Sequence, residues 1–88
     1  MELKLFYRTQ RDLAVDLNRL VDSYWQEEIK ENELIDGIKN LYQHNQEKLI
    51  KDNEFTKVVQ QQCGKRRLAV VGKILEINRK IVLSERFD

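Results

Sequence analysis

Proline is absent from this chain, glycine occurs three times, and cysteine, histidine, tryptophan and methionine occur once each. The missing proline removes the commonest helix breaker and argues against a sheet built on many tight turns. A single cysteine, Cys63, excludes an intrachain disulfide. Together with His44 it is too small a set for zinc, which takes four protein ligands in structural sites. No apolar run reaches the roughly 18–20 residues of a membrane span. The opening Met1-Glu2-Leu3-Lys4-Leu5-Phe6-Tyr7-Arg8 lacks the long apolar stretch of a signal peptide. No glycine-rich loop is present to cradle a phosphate. These absences predict a cytoplasmic chain with no membrane segment, no metal site, no cofactor site and no catalytic set, and so a protein that is not an enzyme.

Charge is abundant. The chain has 88 residues, of which 35% are charged, and its net charge is +1. Residues 1–54 hold 8 Lys/Arg against 12 Asp/Glu, whereas residues 55–88 hold 8 against 3. Two explanations fit this polarity. An acidic helix packed beside a basic one would neutralise it internally, or the basic half is a surface for an anionic partner.

Hydrophobic spacing points to helices. Thr9 is placed to cap a first helix over about residues 9–28, with Asp12 in its first turn. Leu13, Leu17, Leu20, Val21 and Tyr24 fall within an arc of about 100° on that helix. A second helix is expected over 32–45, capped by Asn32 and striped by Leu34, Ile35, Ile38, Leu41 and Tyr42. Gly37 lies off the stripe and lowers helix propensity by about 1 kcal/mol. Asp52 or Asn53 reads as the cap of a third segment containing Phe55, Val58 and Val59. Residues 3–7 read as an arm packed on the bundle, since a lone strand would have no pairing partner.

The C-terminal third is the most two-faced part. With Arg66 at zero on a helical wheel, Cys63, Leu68, Val70, Val71, Ile74, Leu75, Ile77, Ile81 and Val82 fill one half, and Lys65, Arg66, Lys73, Glu76, Arg79 and Lys80 fill the other. An apolar arc that wide suits the central helix of a bundle or a helix shared between subunits. Arg67 breaks the pattern at about 100°, in the middle of the apolar half. It is buried with a carboxylate from Asp12, Asp16 or Asp22, or the helix restarts near Gly64, or Arg67 reaches a ligand. A fully buried pair would make Arg67→Ala cost roughly 3–5 kcal/mol. Gly64 permits a stop and restart. However, cations at a new helix start would oppose the macrodipole, and the apolar stripe runs through Gly64, so a continuous helix is the favoured expectation.

The expected fold is all-α: residues 1–88 form one domain, a small bundle of three to four helices with a long amphipathic C-terminal helix. Two functions fit. One is a small protein-interaction or regulatory module that presents helix faces and assembles as a homo-oligomer. The other is nucleic-acid binding through the basic face. Candidate contacts are Lys65, Arg66, Arg67, Lys73, Arg79 and Lys80, together with Trp25 at the edge of the first helix. Cys63 lies on the apolar arc and reads as a core thiol. Asp12 and Asp16, one turn apart, could bind a cation, but acidic helices produce such pairs often.

The opening Leu3-Lys4-Leu5-Phe6-Tyr7-Arg8-Thr9-Gln10, the pair Tyr24-Trp25 and the run Gln61-Gln62-Cys63-Gly64-Lys65-Arg66-Arg67-Leu68 resemble those of a group of small, Firmicutes-type bacterial proteins of uncharacterised function. The resemblance spans the whole chain. It implies a bacterial or phage-encoded cytosolic protein and brings no activity with it.

Overall fold

Thr9 begins the first helix as its spacing predicts. In the computed structural model, which describes residues 6–75, its hydroxyl oxygen accepts the Asp12 backbone N–H at 3.0 Å. Helix α1 runs Gln10–Trp25. It ends in a Schellman arrangement: the Glu28 N–H donates to the Ser23 carbonyl at 2.8 Å and the Glu27 N–H to the Tyr24 carbonyl at 3.0 Å. Glu27 holds the left-handed position at φ 64°, where glycine is usual.

Helix α2 runs Glu31–His44 and starts earlier than expected. Asn32 is not its cap. The Glu33 carboxylate folds back to accept the Lys30 backbone N–H at 2.8 Å, which fixes Lys30 as the cap residue. Gly37 proves to have a packing role. A Cβ there would lie 2.8 Å from Leu20 Cδ2, so the bare glycine lets α2 sit close on α1. Asn45 then links α2 to a single turn, α3, Gln46–Leu49.

Residues 50–55 depart from the helical expectation. Strands β1 (Ile50–Lys51) and β2 (Glu54–Phe55) pair antiparallel, Ile50 opposite Phe55 and Lys51 opposite Glu54. Asp52 and Asn53 do not cap a helix. They turn the hairpin with φ of 56° and 66°, the positive pair that a type I′ turn requires. Phe55 drops into the core, while the Thr56 hydroxyl donates to the Lys48 carbonyl at 2.8 Å and clips the hairpin to α3.

Helix α4 runs Lys57–Leu75, and the expectation of unbroken continuity fails inside it. Gly64 sits at φ 81°, ψ 167°, a region that essentially only glycine occupies. Residues 57–63 and 65–75 are thus two helical pieces meeting at a kink. Side chains converge on the carbonyls just before it. Asn18 Nδ2 on α1 donates to the Gln62 carbonyl at 2.9 Å, and an Arg67 NH donates to the Cys63 carbonyl at 3.2 Å.

The core lies where α1 meets α4, with α2 and α3 closing it. Leu13, Ala14, Leu17, Leu20 and Val21 from α1 meet Leu34, Ile38 and Leu41 from α2 and Val59, Cys63 and Val71 from α4. The kink rotates the second half of α4. Val71 is therefore fully buried, whereas Val70 and Ile74, expected inside, are only half-buried at the edge. Of the arm expected at residues 3–7, residues 3–5 lie outside the described residues and Phe6 is exposed, while Tyr7 is buried. Its N–H donates to Asn45 Oδ1 at 3.0 Å and its hydroxyl to Asp16 at 2.8 Å.

Candidate interaction surface

Arg67 tests the charge pattern directly. From its place beyond the kink, its Nε and one terminal nitrogen reach the two oxygens of Asp22 on α1, each at 2.9 Å. This is a bidentate fork, the strongest geometry available to such a pair. Asp22 is one of the three acids the sequence offered. The hydrogen bonds it donates to the Asp22 carboxylate hold the guanidinium pKa above its ordinary value. The pair is not fully buried, since the side chains keep 32% and 36% of their exposure. The expectation of a 3–5 kcal/mol penalty for Arg67→Ala must therefore be reduced. Both the kink and the ion pair are present, and together they account for a cation on the apolar side.

Arg66 points the other way. Its guanidinium carbon lies 5.5 Å from the centroid of the Trp25 ring, within cation–π range. Trp25 is 43% exposed, so it is a platform at the end of α1 rather than a lid on the core. Lys65 and Lys73 are exposed on the same stretch of α4. Arg79 and Lys80 lie outside the described residues, as do Ile77, Ile81 and Val82. The fold thus joins Trp25 to Arg66 and sets Arg67 beside them, tied to Asp22.

An open groove of about 460 Å³ lies among α1, α2 and the second half of α4. Tyr24, Leu34, Ile35, Val70 and Ile74 form its apolar floor, and Glu31, Lys39 and Lys73 stand at its rim. No single segment of the sequence announces this feature. It forms because the kink at Gly64 turns Val70 and Ile74 away from the centre and toward Ile35 of α2.

The other chemical candidates separate. Cys63 is 3% exposed and its thiol faces the Ala14 carbonyl at 3.8 Å. Burial pushes the thiol pKa up to about 11, against a smaller downward pull from Arg67. Such a thiol is a poor nucleophile. His44 is engaged elsewhere, its Nδ1 2.9 Å from the Asn40 carbonyl and its ring edge-on to Phe6 at 5.3 Å. Asp16 accepts from Tyr7 and also from Arg19 at 3.0 Å, while Asp12 serves the helix start. Among the described residues, no three His, Cys, Asp or Glu side chains come together as a metal set, and no helix is long and apolar enough to cross a membrane.

The architecture is that of a small, mostly helical bundle with one minimal hairpin. The chain belongs to a family of conserved hypothetical proteins, whose model matches residues 4–76. That span covers the positions of the Tyr24-Trp25 pair and of residues 61–68. No curated protein and no solved structure matches the chain.

Proposed function

We propose that this protein is a non-enzymatic interaction or regulatory module of the bacterial or phage cytoplasm, and that its working face is the groove among α1, α2 and the second half of α4 together with the Trp25–Arg66 platform. The observation that carries this reading is the groove itself, an apolar floor from α1, α2 and α4 that the described residues leave open. Apolar side chains at such a site favour a partner that covers them. The Gln61–Leu68 run is proposed as a family hallmark on structural grounds, because it supplies the kink and the Arg67 anchor that together shape the groove.

The test compares the full-length chain with a folded Ile35→Glu variant, each immobilised and exposed to extract of the native host. Protein captured by the first and lost by the second supports the reading. Equal capture by both overturns it.

Nucleic-acid binding is the second reading, favoured by an exposed aromatic ring stacked with an arginine and flanked by Lys65. Titration with labelled oligonucleotides across a salt series separates the two. Binding through several phosphates weakens steeply as salt rises.

A further inference from the structure

Three residues of the groove share one stripe of α2. Glu31, Ile35 and Lys39 are spaced by four residues each, so they lie one above another along the helix, about 6 Å apart per step. Ile35 is half-buried and stands midway between an anion and a cation. Among the described residues, neither Glu31 nor Lys39 nor Lys73 forms an ion pair. Among the described residues the groove therefore carries an open apolar centre on α2 with a negative charge, Glu31, one turn before it and a positive charge, Lys39, one turn after it, neither of them in an ion pair.

A surface of this kind is self-complementary. Under a twofold axis through Ile35, two α2 helices run antiparallel, and each residue meets the one equally far on the other side of the axis. Glu31 of one copy then faces Lys39 of the other, and Lys39 faces Glu31. Ile35 meets its own counterpart on the axis. Val70 and Ile74 of each α4, which line the groove with Ile35, flank that contact. We infer that the groove is the dimer interface, occupied by the α2 stripe of a second copy in antiparallel orientation. This rests on the reading of the groove as an interaction face and names its occupant. The alternative of a protein of different sequence would not require Glu31 and Lys39 to be equidistant from an apolar centre.

The test uses the full chain in sedimentation equilibrium from micromolar to millimolar concentration, with circular dichroism melts to confirm folding. Wild type is expected to dimerise reversibly. Glu31→Lys or Lys39→Glu alone places like charges opposite each other twice by symmetry, and is expected to weaken the dimer by about tenfold or more. The double exchange Glu31→Lys with Lys39→Glu restores both contacts and should return the affinity to near wild type. Ile35→Cys should close a disulfide between copies under mild oxidation, whereas Asn40→Cys, exposed about 140° around α2 from Ile35, should not.

A wild-type monomer throughout the range overturns the inference. So does a dimer indifferent to the charge exchanges, or one that Ile35→Cys does not cross-link. These failures are distinct from failure of the functional reading. If the chain is monomeric yet Ile35→Glu still abolishes capture of a host protein, the groove remains an interaction face with a different occupant.

Discussion

Replacing Gly64 with alanine separates a kinked α4 from a straight one by the sign of the effect. In a straight helix, glycine to alanine is stabilising by about 0.5–1 kcal/mol, because alanine has less backbone entropy to lose. At φ 81°, ψ 167° the same change forces an L-residue into a region it avoids, at about 1–3 kcal/mol. Sterics do not confuse the result, since a Cβ on Gly64 would meet no atom within 4 Å. The cost is therefore backbone conformation alone. For a chain this small each kcal/mol moves Tm by about 4–8 °C, so Gly64→Ala should lower Tm measurably. The D-enantiomer sharpens the test. D-alanine favours positive φ and also restricts the unfolded chain, so Gly64→D-Ala should raise stability by about 0.4–1 kcal/mol. Cys63, directly before Gly64, is a natural ligation junction for joining a synthetic peptide of residues 63–88 to a recombinant 1–62 thioester. Calorimetry of the three proteins should rank Tm as D-alanine above glycine above L-alanine. A straight helix gives the reverse order, and finding that order would refute the kink and with it the account of the groove.

Three other outcomes follow from the contacts. A double-mutant cycle on Arg67→Ala and Asp22→Ala should give a coupling of about 1–2 kcal/mol by urea denaturation, between the values for exposed and buried pairs, and a coupling within error of zero would mean the fork does not persist in solution. Asn45→Ala should destabilise by about 1–3 kcal/mol, because it removes the acceptor of the Tyr7 N–H at a buried position; an unchanged denaturation midpoint would show that the arm is not held there. The Cys63 thiol has its folded pKa raised from 9.0 to about 11, so its contribution is complete below about pH 9 and is lost as pH climbs toward 11. The loss should run at up to about 1.4 kcal/mol per pH unit, visible as a steeper alkaline decline in wild type than in Cys63→Ala, and parallel declines would rule it out.

The features legible in the sequence were those with a local cause. Thr9 and the α1 stripe could be read because a cap and a 3.6-residue period act within a few residues. Asn32 misled because the start of α2 depends on Glu33 reaching back to Lys30, a side-chain choice that residue type alone leaves open. The hairpin was hidden because two-residue strands have no period to detect. Asp52 and Asn53 suit a left-handed turn as readily as a helix start. Arg67 stood out as a charge on the wrong face, and Asp22 was among its three candidate partners. Trp25 and Arg66 were each singled out, but their stacking joins distant positions and depends on the angle at Gly64. The groove was illegible for the same reason. Its floor draws on α1, α2 and α4, and which α4 side chains face it depends on the backbone at Gly64.

The packing of α1 on α4 also bears on how the chain acquires its shape during synthesis. The first helix to leave the ribosome finds most of its covering in the last one described, so the stripe of Leu13, Ala14, Leu17 and Val21 stays bare until residues near Val71 have emerged. At about 5–20 residues per second, several seconds separate the two events. The hairpin and α3 can form in that interval, but they cannot close the centre without Val59, Cys63 and Val71. Closure of this core is therefore expected only once residues near Val71 have left the ribosome. A nascent chain stalled before Gly64 would present the sticky, unfinished surface that chaperones and proteases recognise.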